Sequence, residues 1–174
     1  MRYRNGDKFT GRFEAGHPKE GEMIYMDINE KYTGEFAPNG LQEGQGMYQF
    51  FNGEIYHGAW LDGLMHGNGL YSYTDGTEFF GIYFEGSKQH GKLKYANGEL
   101  YIGSFKDGIK ASGYQKYYDG SQFSGDFQDG MRKVGEMKFV NGDVYNGEFD
   151  DDGLMSGSGK LEYANGDVYK GDFL

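Results

Sequence analysis

An aromatic residue, any residue, glycine, any residue and a second aromatic recur eight times in this 174-residue chain. The copies are Phe9-Gly11-Phe13, Tyr32-Gly34-Phe36, Tyr56-Gly58-Trp60, Phe79-Gly81-Tyr83, Tyr101-Gly103-Phe105, Phe123-Gly125-Phe127, Tyr145-Gly147-Phe149 and Tyr169-Gly171-Phe173. Their lead rings stand 22 to 24 residues apart. A fixed period of this length marks short supersecondary units, each too small to bury its apolar face without its neighbours. The regularity argues for a long ridged binding surface and against a single closed active site.

Side chains alternate between the faces of a strand. Tyr56, Gly58 and Trp60 therefore share one face, with the glycine between two rings. A glycine leaves a slot without a Cβ, and a neighbouring ring can lie across it. Each unit also holds a second strand, in which a glycine is followed four residues later by a ring: Gly21/Tyr25, Gly46/Phe50, Gly69/Tyr73, Gly91/Tyr95, Gly113/Tyr117, Gly135/Phe139 and Gly159/Tyr163. The residue midway is usually large: Met23, Tyr48, Tyr71, Leu93, Gln115, Met137 and Leu161. Each unit reads as an antiparallel hairpin. Asn-Gly or Asp-Gly precedes nearly every first strand, as in Asn52-Gly53 and Asp75-Gly76, and suits turns with positive φ. The second repeat has Asn29 there, the residue that best tolerates left-handed backbone after glycine. Connections on the other side vary in length and are longest at 37–44 and 150–157.

Glycine supplies 32 residues, against a usual share of about 7%. Such a load often accompanies disorder, but disordered chains are poor in rings and this one is 18% aromatic. The formal net charge of −10 disfavours nucleic acid and anionic lipid as partners. With no cysteine, the chain has neither disulfides nor thiolate metal ligands. No apolar run approaches the ~18 residues of a membrane-spanning helix. The expected location is the cytoplasm, at the cytoskeleton or the membrane periphery.

This grammar resembles the MORN (membrane occupation and recognition nexus) repeat family. The motif runs roughly Tyr-x-Gly-x-Phe/Trp-x-x-Gly, then Gly-x-Gly, then a tyrosine before the next Asn/Asp-Gly. It covers residues 1–174 as one array, with seven complete units and one cut short. The third is the closest copy, with His66-Gly67-Asn68-Gly69. Lys19, Gln89, Ala111 and Lys133 replace the first glycine of Gly-x-Gly in repeats one, four, five and six. The resemblance implies an all-β fold: an elongated, single-layer, twisted antiparallel sheet of successive β-hairpins, an open-ended rod with a groove of rings and glycines. It also implies a partner peptide or helix in that groove. Tyr3 and Phe173-Leu174 read as pieces of cut repeats, so a fragment, or self-association through edge strands, is expected.

The expected partner-binding groove comprises Tyr56, Trp60, Tyr71, Tyr73, Phe79, Tyr83 and Tyr101, with Trp60 foremost, because exposed rings offer rigid apolar area. The alternative is that these rings are simply core. A second candidate interface lies on the opposite face, where Leu70, Phe80, Ile82, Ile102 and Tyr114 interrupt a polar pattern. Acidic residues gather at the turns, as solubility and turn chemistry require or as a basic partner would prefer. Asp150-Asp151-Asp152 lacks the spacing of an EF-hand, and His66 and His90 sit one repeat apart, too far to share a metal. No catalytic constellation, cofactor motif or metal set stands apart from the repeat. The leading function is a non-catalytic protein-binding scaffold. The alternatives are a phospholipid- or phosphoinositide-recognition module and a regulatory segment of a larger enzyme.

Overall fold

A computed structural model describes residues 1–174. It holds fifteen strands and no helix: β1 (Lys8–Glu14), β2 (His17–Tyr25), β3 (Glu30–Phe36), β4 (Gln42–Gln49), β5 (Ile55–Leu61), β6 (Leu64–Ser72), β7 (Glu78–Phe84), β8 (Ser87–Lys94), β9 (Leu100–Lys106), β10 (Ile109–Lys116), β11 (Gln122–Gln128), β12 (Met131–Lys138), β13 (Val144–Phe149), β14 (Met155–Glu162) and β15 (Val168–Phe173). They follow one another in chain order in an antiparallel sheet, as the hairpin reading expects. Two compact units divide the chain, Met1–Lys88 and Gln89–Leu174.

The register is set by glycine. In the first unit Gly11 faces Gly21, Gly21 faces Gly34, Gly34 faces Gly46, Gly46 faces Gly58, Gly58 faces Gly69 and Gly69 faces Gly81. The second unit repeats the row, with Gly103 on Gly113 and Gly147 on Gly159 among its pairs. The lead ring of each first strand curls over this row. A Cβ added to Gly58 would lie 2.6 Å from the Tyr56 hydroxyl and 2.5 Å from Gly69 Cα. The curl is fixed by a hydrogen bond from the hydroxyl to the carbonyl three residues on: Tyr32 to Glu35 (2.9 Å), Tyr56 to Ala59 (2.9 Å), Tyr101 to Ser104 (2.7 Å) and Tyr145 to Glu148 (2.9 Å). Where the lead ring is Phe9, Phe79 or Phe123, packing alone holds the same position, and each is at most 1% exposed.

These rings are the core, with no second layer over them. In the first unit they interlock edge to face: Phe9–Phe36 (5.5 Å), Tyr32–Phe36 (5.0 Å), Tyr32–Trp60 (5.4 Å), Tyr56–Trp60 (5.1 Å), Tyr56–Tyr83 (5.1 Å) and Phe79–Tyr83 (5.4 Å). The second unit continues in kind from Tyr101–Phe127 (5.3 Å) to Tyr145–Phe173 (4.9 Å). Each such pair contributes about 0.5–1.5 kcal/mol beyond the area it buries. Because every second contact joins neighbouring repeats, the zigzag couples each hairpin to the next.

Turns stitch the two edges. On one side a three-residue loop joins successive repeats, except for the four-residue loop 26–29 before the second: Gly53 N–H donates to Phe50 O (3.0 Å) and Phe50 N–H to Glu54 O (3.0 Å), with Gly53 at φ 89°. This is a type I turn followed by a left-handed residue. Asn29 takes that place in the second repeat at φ 55°. Carboxylates here accept from the backbone of the following turn: Asp7 from Met26 (2.9 Å), Glu30 from Phe51 (3.3 Å), Glu99 from Tyr118 (3.3 Å) and Asp143 from Ala164 (2.8 Å). Several of the turn acids are therefore ties between repeats. The other side carries two-residue turns with both residues left-handed, such as Asp62-Gly63 (φ 49° and 80°). Longer loops at Ala37–Leu41 and Asp150–Leu154 depart from this, as the spacing expects. Asp150 accepts from Asp152 and Leu154 N–H and so caps its own loop.

Four outcomes follow. Gly58→Ala forces the Tyr56 ring off its seat and lowers stability by about 1–3 kcal/mol. Gly108→Asn, in a left-handed turn with nothing nearby, costs under about 1 kcal/mol; urea unfolding checks both. The Tyr83 hydroxyl is buried without a partner, so Tyr83→Phe is neutral or stabilising by up to about 1 kcal/mol in the same assay. Burial raises Tyr56 and Tyr25 to about 12 from an ordinary 10. Neutral tyrosine is thus favoured by the fold, so stability is full below pH 10 and is lost as pH rises through 12. The β-sheet circular dichroism signal should be lost as pH rises through about 12.

Candidate functional site

The second strands place a different set of rings above the core. In the first unit Tyr25 stacks on Tyr48 (6.1 Å, 23° between planes), Tyr48 meets Phe50 (4.7 Å), Phe50 meets Tyr71 (5.7 Å) and Tyr71 meets Tyr73 (4.7 Å). All five are half-buried. The ladder exists because these rings stand two or four residues past the glycine row. They find no slot of their own and rest on the first-strand rings, as Tyr48 does on Trp60 (5.7 Å).

Polar groups frame the ladder at both ends. On the three-residue-turn side Tyr71 donates to Glu54 (2.6 Å) and Tyr48 donates to Glu30. On the other side Gln42 Nε2 donates to the Tyr25 hydroxyl (2.8 Å) and Lys88 donates to the Tyr73 hydroxyl. The Lys88 ammonium also lies over the faces of Tyr73 (4.9 Å) and Phe79 (5.1 Å), a cation–π arrangement. Burial, then hydrogen bonding to their carboxylates, holds Tyr48 and Tyr71 well above the usual tyrosine range. Burial raises Tyr73 too and lowers Lys88, against the attraction of Glu54. The tyrosine hydroxyls stay neutral at physiological pH, so the surface offers π faces with hydrogen-bonding rims.

Of the seven expected groove residues, only Tyr71 and Tyr73 lie on this open ladder. Tyr56, Phe79 and Tyr101 are 0% exposed, Tyr83 1% and Trp60 7%; they are core, and no partner reaches them without displacing the sheet's own packing. Trp60 spends its indole N–H on Gly46 O (3.2 Å). The alternation that puts a ring beside a glycine is what buries it. The ladder members outside that expected set are Tyr25, Tyr48 and Phe50, with Lys88, Glu30 and Glu54 around them. The signal for them was the glycine-plus-four rule together with the large midpoint residue: Tyr48 and Tyr71 are rings, whereas Leu93, Gln115, Met137 and Leu161 in the second unit are not, and those four are buried.

On the opposite face Phe80, Ile82 and Ile102 are exposed, while Leu70 and Tyr114 are half-buried. Leu70 faces Phe80 across the strands, and Ile82 faces Asn68 rather than Leu70. In the second unit Ile102 faces both Tyr114 and Lys92. No group of three or more His, Cys, Asp or Glu side chains is arranged to hold a metal ion, and no helix is long and apolar enough to cross a membrane.

Comparison with known proteins adds three findings. Curated protein sequences give no match. Among solved structures, the TCP domain of SAS-4 (dCPAP) from Drosophila melanogaster, in complex with a proline-rich motif of Ana2 (dSTIL), is similar with a TM-score of 0.52 at 15% identity, over 88% of this chain and 84% of that one. The wild-type TCP10 domain of Danio rerio CPAP is similar with a TM-score of 0.51 at 13% identity, over 99% of this chain and 92% of that one. At such identity the likeness is one of fold. The third finding comes from family models: residues 32–55, 56–78 and 145–168 match the MORN repeat, so these three segments are MORN repeats.

Proposed function

We propose that this chain is a non-catalytic protein-interaction scaffold that seats an extended, proline-rich segment of a partner on the ladder Tyr25–Tyr48–Phe50–Tyr71–Tyr73. The observation that carries the reading is the unbroken run of five half-open rings framed by Glu30 and Glu54 on one side and Gln42 and Lys88 on the other. Rings of this kind concentrate binding energy because they give area with little side-chain entropy to lose. Proline-rich segments dock on aromatic grooves for a matching reason, since the polyproline II form is already ordered before binding.

Spacing supports the same partner. Successive hairpins advance by two strand spacings, about 9.6 Å. Polyproline II advances about 9.3 Å in each three-residue turn. A peptide laid across the strands thus presents the same face to each successive repeat. The fold likeness to a domain solved with a proline-rich motif lends further support. A lipid-recognition role is less favoured, because a net charge of −10 repels an anionic surface.

The test is fluorescence anisotropy with a labelled neutral peptide, (Ala-Pro-Pro)4. Tyr48→Ala and Tyr71→Ala should each weaken binding about tenfold, or about 1.4 kcal/mol. Phe80→Ser, on the opposite face, should leave it unchanged. Correctly folded Tyr48 and Tyr71 variants that bind as tightly as the parent would remove the ladder as the docking surface.

A further inference from the structure

The ring-face cation that Lys88 supplies at the end of the first unit recurs twice in the second, where no carboxylate pairs with it. In four repeats the residue that faces the last ring of the first strand is uncharged: Pro18 against Phe13, Gln42 against Phe36, Met65 against Trp60 and Met155 against Phe149. In two successive repeats of the second unit it is a cation: Lys110 against Phe105 and Arg132 against Phe127. Both are half-buried. Lys110 lies over Phe127 (5.1 Å) and Tyr101 (5.7 Å), and Arg132 over Tyr117 and Phe149 (5.1 Å each). They therefore project onto the ring-bearing face.

Neither is in an ion pair, although the chain holds 27 acids to 17 bases and other cations, such as Lys31, Lys138 and Lys160, each find a carboxylate. Their hydrogen bonds go to uncharged acceptors. Lys110 donates to Gln115 Oε1 (2.8 Å); Arg132 donates to Gly153 O (2.8 Å) and meets Met137 Sδ (3.9 Å). Each keeps N–H groups to spare. Desolvation lowers the lysine's pKa first, Glu99 opposes that shift, and Arg132 adds to it by repulsion. The floor beside them is Gln115 and Met137, where the first unit has the rings Tyr48 and Tyr71.

Lys110 and Arg132 stand on β10 and β12, two strands apart, or about 9.6 Å. Carboxylates three residues apart on a polyproline II segment are separated by about 9.3 Å. We infer that the ring face of the second unit binds an extended acidic peptide whose carboxylates recur every third residue, one on Lys110 and the next on Arg132. This rests on the reading of the chain as a peptide-binding scaffold and assigns it a second, charge-read site. A peptide fits better than a membrane, because Asp107 and Asp129 in the adjoining turns would repel an anionic bilayer, while a single side chain can enter between them.

The experiment uses the full chain and three labelled probes: (Asp-Pro-Pro)4, (Asp-Pro)6 and (Lys-Pro-Pro)4. The first should bind at least about tenfold tighter than the third and about threefold tighter than the second, and its affinity should fall as salt rises. Lys110→Gln with Arg132→Gln should weaken it about tenfold, whereas Lys138→Gln, on the other face, should not. Equal binding of the acidic and basic probes overturns the inference, as does full affinity in a folded double variant. Should the double variant fail to fold, the probe comparison on the parent chain still decides. Sedimentation with phosphatidylserine vesicles that disappears in the double variant would assign the two cations to a lipid surface and equally overturn it. If (Ala-Pro-Pro)4 binds the first unit while (Asp-Pro-Pro)4 does not bind at all, this inference fails and the ladder reading stands; the reverse outcome removes the ladder reading alone.

Discussion

A lead ring curled over two facing glycines is the contact from which the rest of this structure follows. It fills the slot that the glycines leave, and in the tyrosine repeats it closes a hydrogen bond to its own strand. It also sets the register, because only the glycine-on-glycine alignment leaves room for the ring. A slip by one residue would place a Cβ under the ring and turn every apolar side chain to the wrong face. Within each unit the edge-to-face zigzag then carries this constraint from one hairpin to the next. The sheet needs no second layer, since its own rings are its core.

That economy has a consequence for function. With the first-strand rings used up as core, the second-strand rings are left half-open above them. In the first unit they form an unbroken ladder whose hydroxyls are held by acids on one side and by an amide and an ammonium on the other. In the second unit the midpoint rings are absent, and two cations lie across ring faces as Lys88 does at the end of the first. One repeat grammar thus yields two surfaces of different chemistry, by changing only the residues that the glycine row does not constrain.

How much could be read without coordinates differs from residue to residue. Tyr56 and Gly58 declared both their face and their pairing, because a period of two and a period of about 23 residues agree on them. Asn29 announced its left-handed turn for the same reason. For Trp60 the sequence leaves binding and core both open, and the structure buries it: nothing local distinguishes a ring that caps a neighbour's strand from one that faces solvent, and its bond to Gly46 O joins residues 14 apart in the chain. Phe80 and Ile82 break the polar pattern of their strand and are exposed, with Leu70 facing the first and Asn68 the second. The turn acids looked like solvated charge, and four of them prove to hold the next turn.

The sequence by itself determined the hairpin unit, the strand order and the glycine register, because each is imposed by interactions between residues at fixed short separations that repeat eight times. The tertiary structure decided which rings are sealed and which stay open, and which cations lie unpaired on ring faces. Those outcomes depend on contacts between one repeat and the next, where a side chain's exposure is set by the depth of its neighbour's packing rather than by its own place in the motif.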